Sequence, residues 1–190
     1  RVSPMALGGG ARAGKTRALM EAAMAVQREG MAVIFISFSD FSTYTKNESS
    51  SRLESLLARI AFAIAKEDVL EGKSLKYCSK IAFTTTREAN TTWLANNDCV
   101  LFIDEVNTCI TKQTEEDESA EFARFLRDAF TVESGRYWVT STHVTSALKT
   151  LELISGRPSE RRFGFDIVRQ PMMVESADDF GTFVPFAKAV

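Results

Sequence analysis

Residues 9 to 16 read GGARAGKT, a glycine, four free positions and then Gly-Lys-Thr, which is the spacing of a phosphate-binding loop. Phosphate oxygens are met there by backbone N–H groups turned inward, and Gly9, Gly10 and Gly14 leave the space and the backbone freedom for that turn. The intervening Ala11, Arg12 and Ala13 complete the cradle. Lys15 adds a cation, and the Thr16 hydroxyl stands where it could ligate Mg²⁺. A helix opening near Gly14 and running through Arg17 would aim its unpaired N–H groups and positive dipole end at the same anion. The simpler alternative is a small-residue turn ahead of a helix.

A second stretch decides between them. CVLFIDEVN, Cys99 to Asn107, is five apolar residues and then two acids. That pattern describes a buried strand whose carboxyl end brings carboxylates to a sheet edge, where open α/β sheets bind ligands. It resembles the Walker B motif. On that reading Asp104 holds Mg²⁺ and Glu105 polarises the attacking water as a general base. A core strand ending in a solvated Asp-Glu pair is the plainer possibility, and the phosphate loop upstream argues against it.

The remaining elements must position these two segments. Ser3 to Leu7 reads as a short first strand. Arg17 to Arg28 carries Leu19, Met20, Ala23 and Met24 at helical spacing, with Gly30 as the stop signal. Ala32 to Phe38 is a β-branched and aromatic run, hence a buried strand, and SDFSTYTKNESS after it reads as a loop. Ser51-x-x-Glu54 is a capping box opening a helix with Leu53, Leu56, Leu57, Ile60, Ala61 and Ile64 on one face. Glu67 to Asp98 shows little pattern beyond one or two short helices around Arg87 to Leu94. Acids at 115–118 precede a helix expected over Ser119 to Phe130, with Phe122, Phe125, Leu126 and Ala129 inward. Tyr137 to Ser141 and Phe165 to Gln170 read as the last two strands, the latter stopped by Pro171. Phe35, Phe38, Phe102, Phe122 and Phe125 follow strand or helix periods and are expected in the core.

Composition narrows the function classes. The 190 residues, 45% of them hydrophobic, suit one domain with a proper core. Lys and Arg total 23 against 25 for Asp and Glu, so a net charge of -2 gives no electrostatic footprint for nucleic acid. Cys78, Cys99 and Cys109 form no C-x-x-C pair, and His143 is the sole histidine, which suits a reducing compartment and argues against zinc. No apolar run reaches the roughly 18 residues that span a bilayer. An intracellular address, in cytoplasm or nucleus, and no membrane partner are expected. The chain starts at Arg1 and enters the loop almost at once, so residues 1–190 read as a single domain cut from a longer, multidomain protein.

With the loop after the first strand and the acidic pair after the third, the chain from about residue 3 to 171 resembles the P-loop NTPases that carry an additional catalytic glutamate, the AAA+ and STAND ATPases. ISFSDFSTY, SRLESLLARIAFAIAK, VTSTHV and SGRP are further similar to the ATPase modules of Crinkler and retrotransposon-hot-spot-type proteins. The resemblance implies a three-layer α/β/α fold around a parallel five-stranded sheet ordered 5-1-4-3-2. It implies ATP, rather than GTP, as the nucleotide, with Mg²⁺, hydrolysis of the β–γ bond, and assembly into a homo-oligomer or action on an effector domain. A polar sensor is expected at the end of the fourth strand, where Thr140, Ser141 and Thr142 match, Thr142 chief among them. STAND proteins place an arginine just beyond; here His143 stands, most simply an ordinary surface or partly buried residue, with a direct role in the chemistry as the alternative. Arg157, Arg161 and Arg162 lie where related ATPases present an arginine to a neighbouring subunit, with Arg161 the candidate; a solvated basic loop is the simpler explanation. Two rival functions follow from the same residues: a nucleotide-gated switch with negligible turnover, and a degenerate P-loop module that only binds proteins.

Overall fold

All six residues from Cys99 to Asp104 are buried, and the faces they take explain the layers. Leu101 and Ile103 join one apolar cluster while Val100 and Phe102 join another, the period of two expected of a strand covered on both sides. The computed structural model describes residues 3–10, 13–39, 51–64, 83–110, 116–154 and 165–169. Along these the elements are β1 (Met5–Gly8), α1 (Lys15–Arg28), β2 (Ala32–Ser37), α2 (Arg52–Ile64), α3 (Phe83–Asn96), β3 (Cys99–Asp104), α4 (Glu116–Leu126), β4 (Arg136–Thr142), α5 (Thr145–Ile154) and β5 (Asp166–Arg169).

Every strand pairing is parallel, and the sheet runs β2-β3-β4-β1-β5. The four strands β2, β3, β4 and β1 form its body, and the four-residue β5 pairs with β1 at the edge. The acidic strand β3 is thus separated from the loop-bearing β1 by β4. Register brings the carboxyl ends level: Ser37 lies opposite Asp104, Ile103 opposite Thr140 and Gly8 opposite Thr142. The α/β class and parallel sheet expected from the sequence are both present.

One face of the sheet is covered by α1, whose Ala18, Leu19, Ala22, Ala23 and Val26 pack on Leu7, Val100, Phe102 and Val139. The other is covered by α2, α4 and α5, through Leu56, Leu57, Ile60, Phe122, Leu126, Leu148 and Leu151 against Ile34, Leu101, Ile103 and Trp138. The helix face anticipated in α2 is the buried one, and the Ser51 hydroxyl accepts the Glu54 N–H at 3.2 Å, as a capping box requires. Phe38, Phe102 and Phe122 are in the core, with Phe35 and Phe125 packed at its margin.

One expectation needs correcting and two regions need completing. The helix expected over Ser119–Phe130 begins earlier, at Glu116, and ends at Leu126; residues Arg127–Val132 widen into a π-helical turn that places the Thr131 hydroxyl 3.1 Å from the Trp138 indole nitrogen. Of the one or two helices expected around Arg87–Leu94 there is one, α3, which begins earlier, at Phe83, and is joined to α2 by the buried Asn90 amide, which donates to the Leu57 carbonyl at 2.7 Å. Helix α5 was not anticipated, though Ala147, Leu148 and Leu151 repeat at helical spacing and are all buried. The loop after β2, from Asp40 onward, and Cys78 lie outside the described residues.

Gly135 precedes β4 with φ +78, and a Cβ there would overlap the Asp98 carboxylate; Gly30 has φ +87 with open space around it. The Asp98 side chain is exposed and can swing aside, so Gly135→Ala and Gly30→Ala are each expected to cost about 1–2 kcal/mol in urea denaturation, the strain of a left-handed backbone. Burial pushes the Cys99 thiol up from 9.0 to about 12, with Asp98 adding to the rise and Arg136 opposing it. Above pH 9 the unfolded thiol loses its proton while the folded one keeps it, so stability falls as pH rises from about 9 to 12. In Cys99→Ala this fall should be shallower by up to roughly 1 kcal/mol per pH unit, measured by denaturation across that range.

Candidate active site

The site grows from the carboxyl ends of β1, β2, β3 and β4. Beyond β1 the chain turns at Gly14, whose φ of 77 and ψ of 14 are left-handed and natural to glycine, and α1 starts at Lys15 with no side chain capping it. Its first N–H groups are therefore free of side-chain competition. The Lys15 stem is buried, 4% exposed, and its Nζ donates to the Gly10 carbonyl at 2.8 Å. Gly9, Gly10, Ala13, Gly14, Lys15, Thr16 and Arg17 are all placed around this turn, with Arg17 exposed; Ala11 and Arg12 lie outside the described residues.

Asp104, at the end of β3, is fully buried. Three hydroxyls donate to its carboxylate: Thr16 at 3.1 Å to each oxygen, Ser37 at 3.1 Å to Oδ2 and Ser141 at 2.6 Å to Oδ1. Among the described residues no cationic side chain pairs with it. A buried carboxylate surrounded by neutral hydroxyl oxygens is the hard-oxygen chemistry that suits Mg²⁺, so Thr16 and Asp104, the pair singled out in the sequence, fit that ion.

Glu105 follows with φ 58 and ψ 50, the sole positive φ at a non-glycine among the described residues. In a continuing strand it would face away from Asp104; the left-handed turn instead keeps both acids at the sheet edge. Such a conformation costs about 1–3 kcal/mol and needs outside support. The Ser141 hydroxyl supplies part of it by accepting the Glu105 N–H at 3.0 Å, and Thr108 N–H bonds the Glu105 carbonyl at 3.1 Å. The Glu105 side chain is 19% exposed. Its Oε1 is 3.9 Å from Lys15 Nζ, and its Oε2 is 2.7 Å from His143 Nδ1. With the Asn107 amide nitrogen turned toward its acceptors, it donates to Glu105 Oε2 and to the Thr142 hydroxyl, both at 2.9 Å.

Among the sensor candidates, Ser141 is the one that touches both acids. Thr140 bonds the Ile103 carbonyl at 2.9 Å, inside the sheet, and Thr142 reaches Asn107 and the Val144 backbone rather than either acid. Arg161, with Arg157 and Arg162, lies outside the described residues. Two partners went unread in the sequence. Ser37 is the polar residue ending the apolar run of β2, and Arg59 from α2 fixes that end by donating to the Ser37 carbonyl at 2.7 Å while lying 4.3 Å over the Phe38 ring. Asn107 sits two residues past the acidic pair, and only the left-handed turn at Glu105 brings it back.

No family model matches the chain, and no curated protein matches it. Solved structures do. The Aeropyrum pernix ORC1 protein in complex with DNA is 13% identical, the match covering 100% of this chain and 44% of that one, with a TM-score of 0.51. The Aeropyrum pernix ORC2 protein, in ADPNP–ADP complexes, is also 13% identical, with 98% and 46% covered and a TM-score of 0.48. The chain thus spans less than half the length of either. At this identity the likeness to ORC1 shows the fold alone. That fold is the parallel, helix-covered α/β sheet described above.

Because the Ser141 hydroxyl serves Asp104 and Glu105 at once, Ser141→Ala should destabilise the fold by about 2 kcal/mol in urea denaturation. Thr16→Ala, which removes a hydroxyl at the exposed start of α1, should cost less than half as much.

Proposed function

We propose that the chain binds ATP with Mg²⁺ at the carboxyl edge of its sheet and hydrolyses the β–γ phosphoanhydride. One observation carries this reading: Lys15 and Thr16 from the loop and Asp104 and Glu105 from β3 meet, with Thr16 Oγ1 at 3.1 Å from Asp104 and Lys15 Nζ at 3.9 Å from Glu105. The amides opening α1 and the Lys15 ammonium would bind the β- and γ-phosphates. Thr16 and Asp104 would hold Mg²⁺, which when bound neutralises charge on the phosphate oxygens. Glu105 would accept a proton from water as the water oxygen bonds the γ-phosphorus and the bond to the β-phosphate oxygen breaks, giving ADP and phosphate.

A switch that binds nucleotide with negligible turnover is the second reading, favoured by the commitment of Glu105 Oε2 to His143 and Asn107, which occupies one oxygen of the would-be base. Placement within the STAND or Crinkler-type ATPases, a partner subunit or effector domain, and an intracellular address rest on the sequence resemblance and cysteine usage.

Calorimetric titration with ATP and a non-hydrolysable analogue, with and without Mg²⁺, combined with phosphate-release assays, tests the proposal. Binding should need Mg²⁺ and be abolished in Lys15→Ala. Glu105→Gln should keep affinity within about threefold while turnover falls at least about 100-fold. Turnover in the unaltered chain no faster than in Glu105→Gln, with Mg²⁺-dependent binding intact, would select the switch. No binding by the folded chain would overturn both.

A further inference from the structure

We propose that His143 is a positioning residue for the general base, anchoring one oxygen of Glu105 so that the other is presented to water. The inference rests on the reading of Glu105 as that base. A carboxylate only accepts hydrogen bonds, so at 2.7 Å the His143 Nδ1 carries the proton and donates it to Oε2. The Asn107 amide donates to the same oxygen at 2.9 Å, whereas Oε1 faces Lys15 Nζ at 3.9 Å, beyond hydrogen-bond distance. The two oxygens are therefore inequivalent: Oε2 is committed to His143 and Asn107, while Oε1, among the described residues, has only Lys15 of the phosphate loop facing it.

The division has a physical purpose. When Lys15 turns to a phosphate, its attraction for Glu105 is shared with that anion, and a restraint is needed that does not depend on the nucleotide. His143 provides it from the end of β4, and its own site is peripheral, 44% exposed, so replacing it leaves the core untouched. Glutamate has three rotatable bonds and loses much rotamer freedom when fixed. A base displaced by about 1 Å can lose up to about 100-fold in rate.

Four variants and one spectroscopic signal test this. His143→Ala should lower kcat about tenfold with KM changed less than twofold. His143→Asn, whose amide nitrogen stands at the same place in the side chain as Nδ1, should recover most of the loss, and His143→Gln, whose amide is one bond further out, should not. In the Glu105→Gln background His143→Ala should bring no further loss, because its effect passes through the carboxylate. Since His143 is the sole histidine, its imidazole ¹⁵N resonances identify themselves, and Glu105→Gln should shift them without any turnover being required. An unaltered kcat in His143→Ala, an equal loss in both backgrounds, or unshifted imidazole resonances would overturn the inference while leaving hydrolysis standing. Failure of the unaltered chain to turn over ATP would instead remove the hydrolysis reading, and this inference with it.

Discussion

A fully buried carboxylate held by three hydroxyls is the interaction on which this arrangement depends. Asp104 draws Thr16 from the start of α1, Ser37 from the end of β2 and Ser141 from the end of β4. An ionised group out of water costs several kcal/mol unless its lone pairs are met, and neutral hydroxyls meet them without cancelling the charge. The fold thereby keeps a negative centre at the sheet edge that an ammonium partner would have quenched. Parallel register makes this possible, because it levels the carboxyl ends of adjacent strands and lets one residue from each reach a common point.

The same constraint bears on Glu105. A left-handed glutamate is a local loss that the surrounding structure must offset, and here the offset is specific. Ser141 spends its hydrogen on Asp104 and its lone pair on the Glu105 N–H, so one hydroxyl fixes the carboxylate before the turn and the backbone within it. The two adjacent acids end in different surroundings: Asp104 dry and among hydroxyls, Glu105 partly exposed beside Lys15 and His143. Neighbouring carboxylates in unlike environments can take unlike roles, one toward a metal and one toward a proton.

Much of this was legible in the chain because the signals were local. The GGARAGKT loop, the apolar run closing in Asp104-Glu105 and the Ser51 capping box each declare themselves within nine residues, and periodicity of two or 3.6 assigned most strands and helices. The partners of the acids were not legible for the opposite reason. Ser37 is one of many serines until register sets it opposite Asp104, and Asn107 gains its meaning only from a positive φ at Glu105 that nothing in the sequence requires. The expected end of α4 at Phe130 failed because the helix widens into a π turn, in which each backbone hydrogen bond reaches one residue further along the chain, and this leaves the apolar pattern of Phe122, Phe125 and Leu126 unchanged. Helix α5 was overlooked although its apolar spacing, Thr145-Ser146 at its start and Gly156 after it were all present.

His143 shows how far a residue's identity falls short of its role. As a lone histidine after a strand it reads as surface, and 44% exposure agrees with that reading. Yet β4 ends in three consecutive buried hydroxyl residues, Thr140, Ser141 and Thr142, each used in hydrogen bonds that hold the sheet edge. With those three committed, the next side chain along is the first that can reach outward past the strand end to Glu105. A long, flexible cation there would compete with Lys15 for the whole carboxylate, whereas a short ring offers a single directed donor at Nδ1. The exposed position and the 2.7 Å contact are therefore compatible: the residue is peripheral to the fold because its work is done on a group that the fold itself leaves partly open.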